Sequence, residues 1–257
     1  NMTHWIRFEH GGVTGFGKLE NDRISVHQGD MFEAPIATGE ELSFDQVTPL
    51  APTAAGKMLG LWNNFHALAT KLNAKIPLEP LYFMKANSSY LGTDAIIRKP
   101  PSYDGKVAFE GELGIVIARE CRAVSEAEAV SHIFGYTCIN DVTAAELIGR
   151  DATFAQWTRA KSFDTFGVFG PVVTTDLDPS TLSIRTVLND QERQNYPVSD
   201  MIFGPVKIVS MISQDMTLHA GDVICCGTSV GVGSMKPGST IEVTIDGIGT
   251  LRNRYEN

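Results

Sequence analysis

The chain has 257 residues, with 21 basic side chains against 30 acidic ones and a formal charge of −9. Hydrophobic residues make up 43% and charged residues 20%, which excludes a disordered or collagen-like chain. The acidic balance argues against nucleic acid as a partner, because phosphate binding needs concentrated Lys and Arg; a small anion needs only a local positive site. No apolar run approaches the roughly 18 residues of a membrane span, so no membrane partner is expected. The opening Asn1-Met2-Thr3-His4-Trp5-Ile6-Arg7 lacks the basic-then-apolar pattern of a secretory signal, and Asn1 reads as a residue left by an expression tag. Cys121, Cys138, Cys225 and Cys226 form no CxxC pair. Reduced and mostly buried thiols in a cytoplasmic protein are the expectation.

Residues 3–8 and 14–26 alternate and are broken by Gly11-Gly12, Gly15, Gly17 and Asn21-Asp22, which predicts a small β-meander. Residues 27–56 are richer in Gly, Pro, Ala and acids and read as a linker with one short strand. A composition shift follows. Phe65, Leu68 and Leu72 have helical spacing, and Leu81-Tyr82-Phe83-Met84 reads as a strand after Pro77 and Pro80. Residues 106–118 are the clearest strand. Phe109, Gly111, Leu113, Ile115 and Ile117 share one face; Glu110, Glu112, Gly114 and Val116 share the other. Ser125-Glu126-Ala127-Glu128 is a capping box opening a short helix to about Phe134. Tyr136 to Ile139 is a strand, Thr143 to Ile148 a helical turn, and Pro205 to Met211 a helix. Asp222 to Cys226 and Thr240 to Ile245 are strands. Many short strands with few helices predict an α+β, β-rich fold, and no βαβ alternation supports a Rossmann or TIM-barrel layout.

Glu110 and Glu112 point the same way from an otherwise apolar strand. Burying two adjacent carboxylates is costly unless a cation neutralises them, and oxygen ligands favour Mg²⁺, Mn²⁺ or Ca²⁺ over zinc. A half-exposed strand with acids on its outer face accounts for the same spacing. Asp141, where a strand ends, suits either a third ligand or a plain N-cap. Lys161, in Ala160-Lys161-Ser162-Phe163-Asp164, suits either a site lysine or a solvated one.

At these residues the sequence resembles the fumarylacetoacetate hydrolase family. The resemblance runs in order over most of 58–252. It includes Glu110-Gly111-Glu112-Leu113-Gly114, Asn140-Asp141-Val142-Thr143-Ala144, Ala160-Lys161-Ser162-Phe163-Asp164, Asp200-Met201-Ile202-Phe203, and Gly227-Thr228-Ser229-Val230-Gly231-Val232-Gly233. Residues 1–55 resemble, less specifically, a small β domain carried by some bacterial members. The resemblance implies a mixed β-sandwich or β-roll catalytic domain over 56–257 behind a small N-terminal β domain and linker over 1–55. It implies a homodimer, and Mg²⁺ or Mn²⁺ held by Glu110, Glu112 and Asp141, with Lys161 catalytic. The implied substrates are small anionic 2-oxo acids. The implied reactions are hydrolytic C–C cleavage of acylpyruvates, decarboxylation, and enol–keto isomerisation. Thr228 and the amides of the loop from Gly227 are candidates for holding a substrate carboxylate.

Three departures stand out. Many relatives carry Arg directly after Asp-Val-Thr-Ala and Gln three residues later; here these are Ala145 and Ile148. Arg150, Gln156 and Arg159 are candidate replacements. Hydrolytic relatives often carry a His–Glu pair on a lid for water activation. Here His66 arrives two positions early and no Glu lies where the pair needs it, so His66 is either the base or a helix-start histidine. Gly227-Thr228-Ser229-Val230-Gly231 also matches the GxSxG nucleophile elbow, but glycines and Pro237 interrupt the helix that should follow and no His comes after His219. The leading expectation is metal-dependent hydrolysis of an acylpyruvate such as fumarylpyruvate or maleylpyruvate in aromatic catabolism. Decarboxylation or isomerisation of 2-oxo dicarboxylic acids is the alternative, and the missing Glu favours it. A non-enzymatic binding protein or an inactive scaffold subunit has no use for Lys161.

Overall fold

Glycine-punctuated alternation at the N-terminus folds as a meander of β1 (His4–His10), β2 (Val13–Glu20), β3 (Arg23–Gln28) and β4 (Ile36–Ser43), followed by β5 (Thr48–Pro49). The computed structural model describes residues 2–257, so Asn1 lies outside the described residues. Next come β6 (Met58–Trp62), α1 (His66–Leu72), β7 (Leu81–Lys85), β8 (Tyr90–Leu91), β9 (Ile96–Arg98), β10 (Val107–Phe109) and β11 (Gly111–Ile117). They are followed by α2 (Glu126–Ala129), β12 (Ile133–Asp141), β13 (Thr143–Ala144), α3 (Trp157–Lys161), β14 (Gly167–Thr174), β15 (Ser183–Leu188) and β16 (Gln191–Pro197). The chain closes with α4 (Pro205–Asp215), β17 (Val223–Cys225), β18 (Gly233–Met235), β19 (Ser239–Ile245) and β20 (Gly249–Glu256).

The strands form an α+β, β-rich arrangement of two mixed sheets and one small antiparallel sheet. The large sheet runs β4-β3-β2-β1-β14-β12-β11-β17-β6-β7, with β5 on β1 and β8 on β14. A five-stranded sheet runs β16-β15-β19-β20-β9, and a small one β13-β10-β18. The large and five-stranded sheets pack face to face. Leu113 and Ile115 of β11 share a core with Ile184, Ile241 and Val243. The opposite face of β11, β12 and β14 buries Val116, Ile139, Phe169 and Val173 against Ala51, Ala55 and Met58. No helix among the described residues is long and apolar enough to cross a membrane.

Several sequence expectations need adjustment. The strand expected over 106–118 is two strands in different sheets, separated at Glu110. Both faces of β11 are covered, so the polar face inferred for Glu110 and Glu112 is interior rather than outward. The linker expected over 27–56 contains the eight-residue β4, an edge strand whose side chains are mostly exposed. It is held by backbone pairing to β3, so apolar alternation does not mark it. The helical turn expected from Thr143 is the short strand β13 followed by a 3₁₀ turn. The expected meander forms and continues into the large sheet: His4 and Trp5 pair with Thr174 and Val173 of β14.

Candidate active site

The interior polar face of the large sheet gathers the acids. Glu112 projects from β11 on the same face as Val116, and Asp141 ends the adjacent β12. Register places Gly111 opposite Asn140, so the two strand ends lie side by side. Glu110, at the crossing between sheets, donates its amide to the Asn140 side-chain oxygen at 3.0 Å and accepts from the Asp141 amide at 2.9 Å. One oxygen each from Glu110, Glu112 and Asp141 lies within 4.8 Å of the others. Glu112 and Asp141 are fully buried, and only the Glu110 side chain, 19% exposed, reaches solvent.

Two ammonium groups face these acids. α3 ends at Lys161, whose Nζ donates to Asp141 Oδ2 at 2.8 Å, Thr143 Oγ1 at 2.7 Å and Glu110 Oε2 at 3.2 Å. Its ammonium also lies 4.7 Å from the Phe83 ring centroid. Burial opposes the charge on Lys161, but Asp141, Glu110 and Glu112 outweigh it and raise its pKa above the usual lysine range. The second ammonium is Lys85, buried at the end of β7, which bonds Asp141 Oδ1 at 2.5 Å and the Val142 carbonyl at 3.0 Å. Sequence reasoning missed it, ending the strand at Met84. Its one sign was a lysine two residues beyond the inward-facing Phe83, on the same strand face. Burial disfavours ionised Asp141, yet Lys161 and Lys85 hold its pKa down at about 2. Glu112 behaves oppositely: burial and the Asp141 and Glu110 charges push its pKa well up.

Glu112 supplies the observation that tests a metal. Its Oε1 accepts the Gly227 amide at 2.9 Å, whereas its buried Oε2 has no partner. A buried orphan carboxylate oxygen is costly, and a cation beside Glu110 and Asp141 would satisfy it. The donor set is entirely oxygen, which suits Mg²⁺ or Mn²⁺.

The other expected residues are distributed as follows. Gly227 leaves β17 with φ +92, a left-handed conformation suited to glycine, and this turns its amide onto Glu112. The Thr228 hydroxyl is engaged: it accepts from Gln194 Nε2 at 2.8 Å and donates to the Gly111 carbonyl at 3.0 Å. Gln156 and Arg159 line a cleft of about 620 Å³ with Tyr82, Phe83, Phe154 and Trp157. The carboxylates do not line it. Phe83 is the shared wall, stacked on Trp157 at 5.6 Å and touched by Lys161. Arg150 stacks on Tyr103. His66 is exposed at the start of α1 and makes no hydrogen bond to the cluster. The neighbouring Ala67 amide is held by Asp200 Oδ2 at 2.9 Å.

Residues 57–256 match the family profile described as fumarylacetoacetate (FAA) hydrolase C-terminal. The chain belongs to the fumarylacetoacetate hydrolase family. Residues 3–52 match a second profile, Rv2993c-like N-terminal. An uncharacterized protein of Archaeoglobus fulgidus is 43% identical over 221 residues, covering 86% of this chain and 87% of that one. The oxaloacetate tautomerase YisK of Bacillus subtilis is 32% identical over 254 residues, covering 91% and 83%. The crystal structure of 2-hydroxyhepta-2,4-diene-1,7-dioate isomerase from Mycobacterium marinum superposes with a TM-score of 0.90 at 37% identity, covering 99% and 98%. Family members with assigned reactions are thus enzymes, and isomerases, tautomerases and hydrolases are among them. In this family member, the acid cluster, Lys161 and the Gly227 amide converge where the sequence motifs of the resemblance meet.

Proposed function

We propose that this chain is a Mg²⁺- or Mn²⁺-dependent enzyme that moves a proton at the carbon beside the keto group of a 2-oxo dicarboxylic acid, interconverting enol and keto forms. The observation that carries this reading is Lys161, a buried ammonium hydrogen-bonded within the acid cluster while no histidine touches that cluster among the described residues. Enolate chemistry needs fixed positive charge and a proton path. Hydrolysis additionally needs an activated water, and the exposed His66 is separate from the acids.

Charge supports the substrate class. Three carboxylates face two buried ammoniums, leaving one net negative charge when all are ionised. A divalent cation reverses this to one net positive charge, which a carboxylate head group neutralises. The cation, when bound, supplies Lewis-acid polarisation of the 2-oxo oxygen. Lys161 keeps its proton at Nζ and offers a second positive charge to an enolate oxygen. Thr143 bridges the pair: its hydroxyl accepts from Lys161 and donates to Glu110 Oε2 at 2.9 Å, which fixes the Glu110 carboxyl. Glu110, the one acid open to solvent, delivers a proton to the carbon and regains one from water as the enol oxygen loses its own. The tautomerase and isomerase relatives support the same reading.

The test follows decay of enol absorbance of oxaloacetate with Mg²⁺-loaded protein, and separately resolves the products of maleylpyruvate and fumarylpyruvate by mass in ¹⁸O-water. Accelerated enol loss without C–C scission is expected. Scission with ¹⁸O in the released acid would replace this reading with the acylpyruvate hydrolysis expected from sequence.

A further inference from the structure

β17 pairs with β11 only as far as Cys225 opposite Gly114. One further bond, from the Cys226 amide to the Leu113 carbonyl, closes that ladder at 2.9 Å. The chain then turns away at Gly227, leaving the Gly111 backbone without a strand partner on that side. Gly111 separates the two glutamates, so movement of its backbone moves both carboxylates.

Side chains from β16 replace the missing strand. The Gly111 amide donates to Gln194 Oε1 at 3.0 Å, and its carbonyl accepts from Tyr196 Oη at 2.5 Å and from Thr228 Oγ1 at 3.0 Å. Gln194 Nε2 in turn donates to Thr228 Oγ1 at 2.8 Å and to the Ser229 carbonyl at 3.2 Å. Gly111, Gln194 and Thr228 therefore form a closed ring of hydrogen bonds. Gln194 is 2% exposed. Its single amide ties the Glu110-Gly111-Glu112 segment to the loop whose Gly227 amide holds Glu112 Oε1.

We propose that Gln194 is a positioning residue that, through this ring, fixes the Gly111 backbone and the 227–229 loop together and so aims the unpartnered Glu112 oxygen at the cation. The proposal rests on the reading of Glu110, Glu112 and Asp141 as a cation site. Groups that hydrogen-bond metal ligands typically change metal affinity about 10–100-fold when removed, and Gln194 holds the Gly111 backbone that joins two of those ligands.

The experiment is calorimetric titration of MnCl₂ into the chelator-treated full chain, its Gln194→Met, Tyr196→Phe, Thr228→Val and Gln194→Met/Thr228→Val variants, and the exposed-site control Asn195→Ala. Gln194→Met is expected to lower Mn²⁺ affinity about 10–100-fold. Saturating Mn²⁺ should recover kcat, whereas a purely structural defect would not respond to the ion. Because Gln194 and Thr228 act through one ring, the double variant should lose less than the product of the two single losses. Asn195→Ala should bind as the parent does. If Gln194→Met fails to fold, Tyr196→Phe and Thr228→Val must each still weaken binding. Parent-like affinity in the folded variants, or independent losses in the double variant, overturns the positioning role. A parent protein that binds no Mn²⁺ overturns the cation reading and this proposal with it.

Discussion

Asp141 is the acid in the site with one lysine ammonium on each oxygen. Truncating Lys85 leaves Asp141 Oδ1 buried without its counter-charge. Lys85→Met should therefore destabilise the metal-free protein by about 3–5 kcal/mol, the usual cost of orphaning one partner of a buried pair. Urea denaturation in EDTA measures this, and an unchanged midpoint would remove the electrostatic account of Lys85. The glutamate spacing, Asp141 and Lys161 were legible in sequence because a short motif carries each. Lys85 and Gln194 were not. They meet their partners across 56 and 83 residues; Lys85 stands just past the end of an expected strand, and Gln194 lies in a polar stretch to which the sequence pattern assigned no element. Thr228 was named from sequence as a candidate for holding a substrate carboxylate, not as the link between Gln194 and Gly111 that it forms.

β10 and β11 illustrate why a continuous apolar pattern misleads. The alternation from Val107 to Ile117 is unbroken, yet the chain changes sheets at Glu110 because its amide is taken by a side chain, Asn140, rather than a strand. Periodicity reports burial, and both halves are buried. Gly111 at this crossing has no room for a side chain: a Cβ there would overlap the Thr186 hydroxyl on β15. Gly111→Ala should accordingly push β11 away from the five-stranded sheet and displace both glutamates. The expected result is lost turnover with a clear fall in thermal midpoint. An alanine variant with parent-like midpoint and kcat would show that the crossing tolerates movement. Conversely, the sequence pattern showed only one short strand in the linker over 27–56, where β4 runs for eight residues, because an exposed edge strand needs only backbone partners.

The whole fold places its costliest charges between two covered faces, so its stability should depend on pH and, under the proposed cation reading, on divalent ions as well. Glu112 has its pKa raised by burial and by its acidic neighbours, above an ordinary value of 4.5. A carboxyl so shifted contributes stability that is full below 4.5 and lost as pH rises through its folded pKa. Asp141 works the other way: held at about 2, it contributes above its ordinary 3.8 and loses that contribution only in strong acid. Metal-free protein should therefore be most stable in mild acid and weaken toward neutral pH. Saturating Mg²⁺ should flatten that decline by holding Glu112 ionised. Thermal melts across pH in EDTA and in MgCl₂ test this, and parallel curves would contradict it. The overall α+β, β-rich class was legible from the many short strands. The continuation of the N-terminal meander into the large sheet was not, because the pairing of β1 with β14 joins segments about 170 residues apart, as the His4–Thr174 contact shows.

The lysine pair on Asp141 has a consequence for how such a protein is controlled. With Lys85 and Lys161 in place, the chain carries its own counter-ions for Asp141 and Glu110, and only Glu112 is left facing acidic neighbours without one. Under the proposed cation reading, the ion is a dissociable reagent, gained and lost by a folded molecule, and the working fraction of the protein should follow the free divalent concentration around it.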